Sequence, residues 1–206
     1  MKTYTPKKWD LSGLQGISDD TLQIHFGLYE GYVKNTNTLG ERIDALRKDG
    51  KNSGADPAYA ELVRRLGWEF NGMRLHEYYF DNLTKNPKNA PNNGQLHDLA
   101  GEGYGSFDGW KKDFAAVGAM RGVGWAIAFF DEVQKQIVNI WIGDHNINEL
   151  AGCEPLVVMD LWEHAFIRDY KPADKSKYIE AFLAHVDWSV CESRLGLMLE
   201  IGRAHV

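Results

Sequence analysis

The sequence predicts an α+β fold: an N-terminal antiparallel helical hairpin, followed by an α/β domain with a small three-stranded antiparallel sheet. Three observations predict it. Apolar residues recur at helical spacings through the first part of the chain. A polar stretch rich in Asn, Pro and Lys at 85–94 then interrupts the pattern. Beyond it lie three short runs of β-branched and aromatic residues, each of strand length.

The first helix is expected over 19–47. Ser18-Asp19-Asp20-Thr21 can cap it, and Leu22, His25, Tyr29, Tyr32 and Val33 come after at helical spacings. Residues 48–54 are polar and contain glycine, so they read as a turn. Asp56 followed by Pro57 gives a capping side chain and a proline at the first helical position. The second helix is expected over 57–83, with Leu62, Leu66, Phe70, Met73, His76 and Phe80 sharing faces. Two long helices with a short joint form an antiparallel pair. After the polar stretch, helices are expected at 95–102 and 107–120, strands at 125–130, 136–142 and 155–159, and closing helices at 175–185 and 188–199. The implied domain division is 1–88 for the hairpin and 89–200 for the α+β part. The last six residues, 201–206, read as what a common sequencing-adapter DNA encodes in one frame, so they are expected to be foreign and His205 is set aside.

Composition narrows the function classes. With 206 residues and 44% hydrophobic content the chain can bury a substantial core. The formal net charge of −6 disfavours a general nucleic-acid binder, which needs a basic face. No stretch approaches the roughly 20 apolar residues of a membrane span, and residues 1–11 lack the apolar run of a signal peptide. A soluble, cytoplasmic protein is expected. Cys153 and Cys191 permit one disulfide, but their spacing does not demand it.

The densest chemical signal is Asp160-Leu161-Trp162-Glu163-His164, directly after a strand-like run. A carboxylate at a strand end and an imidazole four residues on can converge if the chain turns between them, and that donor pair suits iron or manganese. Alone the pair is weak; a capping Asp beside a hydrogen-bonded His fits it as well. His25 and His76 lie on apolar stripes of neighbouring helices. A single such histidine reads most simply as a core residue, but two facing each other across a hairpin form a candidate ligand pair, because burial keeps both neutral.

The segment Asp160-Leu161-Trp162-Glu163-His164-Ala165 resembles the signature Asp-x-Trp-Glu-His-Ala of iron/manganese superoxide dismutases. The resemblance extends over 9–197. It takes in Gln23-Ile24-His25-Phe26-Gly27, Tyr32-Val33-Lys34-Asn35, His76-Glu77-Tyr78-Tyr79-Phe80-Asp81-Asn82-Leu83, Tyr104-Gly105-Ser106-Phe107, Gly122-Val123-Gly124-Trp125 and Asp169-Tyr170, in the family's order. It implies a dismutation of superoxide to dioxygen and hydrogen peroxide at one iron or manganese ion per subunit. The implied ligands are His25, His76, Asp160 and His164, with a bound water or hydroxide completing the set. Trp125 and Trp162 would wall the pocket, with Tyr79 nearby. Glu163 would bond to the partner subunit's His164 in a homodimer, a tetramer being the larger alternative. Tyr32 would stand at the substrate entrance and relay a proton. His145, in Gly143-Asp144-His145-Asn146, would take the place of the Gln that many members direct at the bound solvent, while the other position for that Gln is Gly72 here. Lys34 and Lys171 are candidates for drawing in the anion.

The chain also departs from the family. It has one residue fewer between His25 and Tyr32, with Leu28-Tyr29-Glu30 where a Lys-His-His run is common. Ile167 stands where a Tyr usually pairs with one of those His across the dimer, so both halves of that bridge are lost together. Phe80 replaces a usual Trp. Two rival readings remain at this level: a zinc hydrolase with a three-His, one-carboxylate site, which metal content would distinguish, and a non-enzymatic descendant of the fold, which should have lost ligands.

Overall fold

In the computed structural model residues 1–200 are described throughout and the last helix continues to Ala204 in its backbone; the origin of 201–206 lies outside the described residues. Helix α1 (Asp19–Lys48) begins at Ser18, whose side chain accepts from the Thr21 N–H. Helix α2 (Pro57–Asp81) begins at Asp56, which accepts from the Ala58 and Tyr59 N–H groups. The two form the hairpin. Helix α2 stops at Asp81, two residues before the expected end, because Asn82 is recruited elsewhere. Its fully buried amide accepts from the Val158 N–H at 2.9 Å and donates to the Leu156 carbonyl at 3.4 Å. The hairpin is thereby stitched to the sheet.

Helices α3 (Gln95–Tyr104) and α4 (Phe107–Gly118) precede the sheet, and α5 (Lys175–Ala184) and α6 (Trp188–Ala204) come after it. The expected end of α3 was two residues short, and that of α4 two residues long. The antiparallel sheet has the order β2-β1-β3, from β1 (Gly124–Asp131), β2 (Gln136–Gly143) and β3 (Cys153–Asp160). The central strand β1 is buried from Gly124 to Phe130 on both faces, which is why its sequence is a continuous apolar run instead of an alternating one. Strand β3 starts at Cys153, earlier than expected, with a register shift between Ala128 and Phe129 opposite it.

The register brings the start of β1 level with the end of β3. Trp125 pairs with Asp160 on one side and with Ile142 on the other. Gly124 has φ of 142°, and a Cβ there would stand 1.9 Å from the Ile142 carbonyl oxygen, so only glycine fits. Two short 3₁₀ turns, Glu163–Ala165 and Pro172–Asp174, were not foreseen. The loop between them returns to the start of α1: Asp169 accepts from the Ser18 N–H at 2.9 Å and from the Thr21 hydroxyl at 2.8 Å, and the Tyr170 hydroxyl donates to the Gly16 carbonyl at 2.7 Å. One apolar core runs from Leu22 and Tyr79 in the hairpin to the sheet and to Phe182. No helix among the described residues is long and apolar enough to cross a membrane.

Candidate metal centre

Four side chains meet where the hairpin abuts the end of β3. His25, His76, Asp160 and His164 each present one ligand atom, all within 4.8 Å of one another. The helical pair arrives by periodicity: His25 continues the buried face of Leu22 and Tyr29, and His76 that of Gly72 and Met73. The other pair arrives by a strand end and a tight turn. Asp160 is the last residue of β3, and the 3₁₀ turn swings His164 back over it.

The geometry centres on one oxygen. Asp160 Oδ2 lies 3.0 Å from His25 Nε2, 3.1 Å from His164 Nε2 and 3.5 Å from His76 Nε2. Its other oxygen accepts from the Trp162 N–H at 2.8 Å, and the Tyr178 hydroxyl donates to its backbone carbonyl at 2.7 Å. The Tyr79 and Tyr178 hydroxyls lie 3.3 Å apart. Burial alone raises the Asp160 carboxyl, but the facing His164 and His25 outweigh it and hold the group below the usual carboxylate range. Burial lowers the pKa of His25 and lowers that of His76 well below the ordinary value, so both rings are neutral.

The protonation of His76 is set by its partners. Its Nδ1 faces the Gly72 carbonyl at 2.5 Å, and a carbonyl only accepts, so Nδ1 carries the proton and Nε2 is bare. That bare nitrogen is buried without a hydrogen-bond partner, as is His25 Nδ1. His76 Nε2 and Asp160 Oδ2 are thus two acceptors facing each other, an arrangement that a cation between them relieves. Three imidazoles and one carboxylate fit a first-row transition ion.

Aromatic rings enclose the cluster. Trp125 meets His76 edge-on at 5.0 Å, Trp162 stacks along His164 at 6.1 Å, and Tyr79 and Phe80 lie 5.0 and 4.9 Å from His25. His25, His76 and Asp160 are fully buried, while the His164 side chain keeps 19% of its exposure and marks the open edge. Glu163 lies beside His164 in the chain but is not one of the four clustered groups. Its side chain is exposed and makes no hydrogen bond or ion pair among the described residues, while its backbone carbonyl accepts from the Ile167 N–H at 2.8 Å. It lines a cleft of about 580 Å³ with Met120, Val123 and Phe166.

Tyr32 and His145 meet at the mouth. The turn after β2, closed by backbone bonds between Gly143 and Ile147 with Asp144 at φ of 50°, turns His145 fully inward. The Trp125 indole N–H donates to His145 Nδ1 at 3.0 Å, so Nδ1 is the bare nitrogen. Burial lowers this histidine to about 4. Its proton therefore resides on Nε2 and is donated to the Tyr32 hydroxyl oxygen, 2.8 Å away. The Tyr32 phenol, pushed up by burial, keeps its own proton. A Cβ on Gly72 would stand 2.6 Å from the Tyr32 ring, so Tyr32 packs directly on the α2 backbone. Lys34 and Lys171 are exposed. Sequence reasoning missed Tyr178, which is fully buried behind Asp160, and Trp68, which shares the α2 face of Gly72 and His76. Only the four-residue spacing of 68, 72 and 76 signals the latter.

The chain is similar to known proteins. A family model described as iron/manganese superoxide dismutases, C-terminal domain, matches residues 92–194. A superoxide dismutase [Mn] of Haloarcula marismortui is 33% identical over 89% of this chain and 88% of its own length. A superoxide dismutase [Fe] of Pyrobaculum aerophilum is 30% identical over 87% and 84%. A superoxide dismutase [Mn] of Nocardia asteroides is 30% identical over 95% and 93%. Matches of this identity that span both the hairpin and the sheet, with the family model over half of the chain, assign the chain to the iron/manganese superoxide dismutase family.

Proposed function

We propose that the chain disproportionates superoxide at one iron or manganese ion held by His25, His76, Asp160 and His164. The observation that carries this reading is the convergence of three imidazole nitrogens on one buried carboxylate oxygen, with the bare Nε2 of His76 among them. The ion, when bound, supplies the one-electron couple by which two superoxide anions and two protons become dioxygen and hydrogen peroxide. The chain supplies the rest. Asp160 contributes the negative charge, and the Trp162 N–H and Tyr178 hydroxyl fix its orientation. The Gly72 carbonyl fixes the His76 tautomer. Trp125, Trp162 and Tyr79 exclude water from around the cluster and leave room for only a small substrate. Tyr32 handles the protons: His145 Nε2–H occupies one lone pair of its hydroxyl oxygen, so its own O–H can point at the substrate.

The test is dismutation activity on two preparations, one loaded only with iron and one only with manganese, each with its metal content measured. Activity in either supports the reading, and the ratio gives the metal preference. Full occupancy without activity in both overturns it.

A homodimer completes the proposal. His164 lies at the open edge, and the exposed Glu163 would reach the partner subunit's copy of that histidine. Exposed Ile24, Leu28 and Ile167 on the neighbouring α1 and loop surfaces support burial there. The two cysteines are free thiols, which suits a reducing, cytoplasmic compartment. Residues 1–88 and 89–200 are assigned as the two units of the fold, the change from helices alone to a helix-and-sheet arrangement supporting the boundary.

A further inference from the structure

His145 is gripped by several rings, and its nearest aromatic neighbour belongs to none of the metal-facing residues. The Trp68 indole meets the His145 imidazole edge-on, with centroids 4.5 Å apart at 65°, closer than Tyr32 at 4.9 Å, Trp162 at 5.1 Å or Trp125 at 5.8 Å. The same indole lies 5.6 Å from the Tyr32 ring. Trp68 thus touches both partners of the Tyr32–His145 hydrogen bond. It stands one turn before Gly72, which offers no side chain to do so.

Trp68 is itself pinned. The Arg65 guanidinium carbon lies 3.8 Å from the indole centroid. Arg65 Nε and Nη2 both donate to Glu69 Oε1, at 3.0 and 2.8 Å. The Glu69 side chain is only 5% exposed, and its other oxygen accepts from the Asn35 amide at 3.3 Å. This chain of contacts runs from α1 to α2 and ends on the ring that bears on His145. A buried carboxylate that orients an arginine over one indole is a large investment for a residue at the rim.

We infer that Trp68, pinned by Asn35, Glu69 and Arg65, is a positioning residue for the Tyr32–His145 hydrogen bond, and through it for proton supply in dismutation. The inference rests on the reading that Tyr32 and His145 handle those protons. Hydrogen bonds weaken steeply as they bend, and a small rotation of the imidazole about its own side-chain bonds would misalign a 2.8 Å contact.

The test compares Trp68→Ala, Trp68→Phe, Arg65→Gln and Tyr32→Phe with the parent, all metal-loaded and matched for metal content. It reads kcat and kcat/KM separately, and, in metal-free protein with isotopically labelled histidine, the exchange rate of the His145 ring N–H with water. The expected result for Trp68→Ala is a fall in kcat of about tenfold, the scale of a sub-ångström misplacement. It also includes an unchanged kcat/KM and faster His145 N–H exchange. Trp68→Phe should restore most of both readouts, and Arg65→Gln should shift the exchange rate in the same direction by less, which keeps the test open if the alanine variant does not fold. Parent-like His145 exchange in the Trp68 and Arg65 variants overturns the inference. So does a loss of kcat and kcat/KM together, in step with lost metal or a lower melting point, because a merely structural role predicts that. If Tyr32→Phe leaves kcat intact, the proton-supply reading fails instead, and the exchange rates still decide whether Trp68 positions His145.

Discussion

The two halves of the chain each deliver two groups to the cluster, by different means. His25 and His76 stand on long helices, and both are closed off from solvent. Their placement depends on helical period alone, so any sequence that keeps α1 and α2 packed keeps them in place. Asp160 and His164 depend on where a strand stops and how tightly the next residues turn. That side carries more bracing: the Trp162 N–H on the carboxylate, Tyr178 behind it, and Asp169 tying the next loop to α1. Regular structure positions a side chain by itself, while a turn needs separate fasteners.

The sharpest way to break this arrangement is Asp160→Asn. It removes the negative charge on which three rings converge. Metal affinity should fall by at least about 100-fold, the upper end of what losing even an outer partner of a ligand costs. Metal content after dialysis against a chelator measures it. A variant that retains stoichiometric metal would mean that the three imidazoles hold the ion without the carboxylate charge.

A second probe is pH, applied to the metal-free protein. Burial lowers His25 and His76 below their ordinary 6.5 and His145 to about 4. As pH falls below about 6.5 the unfolded chain takes up protons that the folded chain refuses. Stability therefore declines with falling pH, by up to about 1.4 kcal/mol per pH unit for each ring. For His145 the decline levels off near its folded value. Denaturation midpoints between pH 8 and pH 5 track it. With metal bound the decline should be at least as steep, because the ion also holds those nitrogens unprotonated in the folded chain while the unfolded chain still takes up protons.

The smallest effect is expected from Asp169→Ala, which removes only a fastener. Two hydrogen bonds to a carboxylate are lost at the rim, for about 2 kcal/mol. Thermal unfolding reads the stability change. If the turn side relies on fasteners, metal should also dissociate faster than from a variant of equal stability altered at the exposed start of α2.

Much of this architecture was legible in the sequence. The capping residues Ser18 and Asp56 are local signals, and they mark both helix starts. The clustering of His25, His76, Asp160 and His164 was legible because one motif and two apolar stripes carry them. The end of α2 was not, because Asn82 serves β3, a partner far along the chain. Nor was the start of β3 at Cys153, which depends on pairing with Asp131 across the sheet. Tyr178 and Trp68 escaped for the same reason. Each acts through a contact with a distant segment, and nothing in its immediate neighbours distinguishes a bracing aromatic from an ordinary core residue.

The fastening of residue 169 to residue 18 bears on how the protein is made. His25 and Asp160 are 135 positions apart, so the cluster is among the most non-local features of the chain. Bringing such distant segments together is slow compared with forming a helical hairpin. During synthesis the hairpin emerges first and can pair its helices, but it carries only half of a donor set. The four-residue cluster exists only once Asp160 and His164 have joined the hairpin, so a chain cut short before them carries no complete cluster.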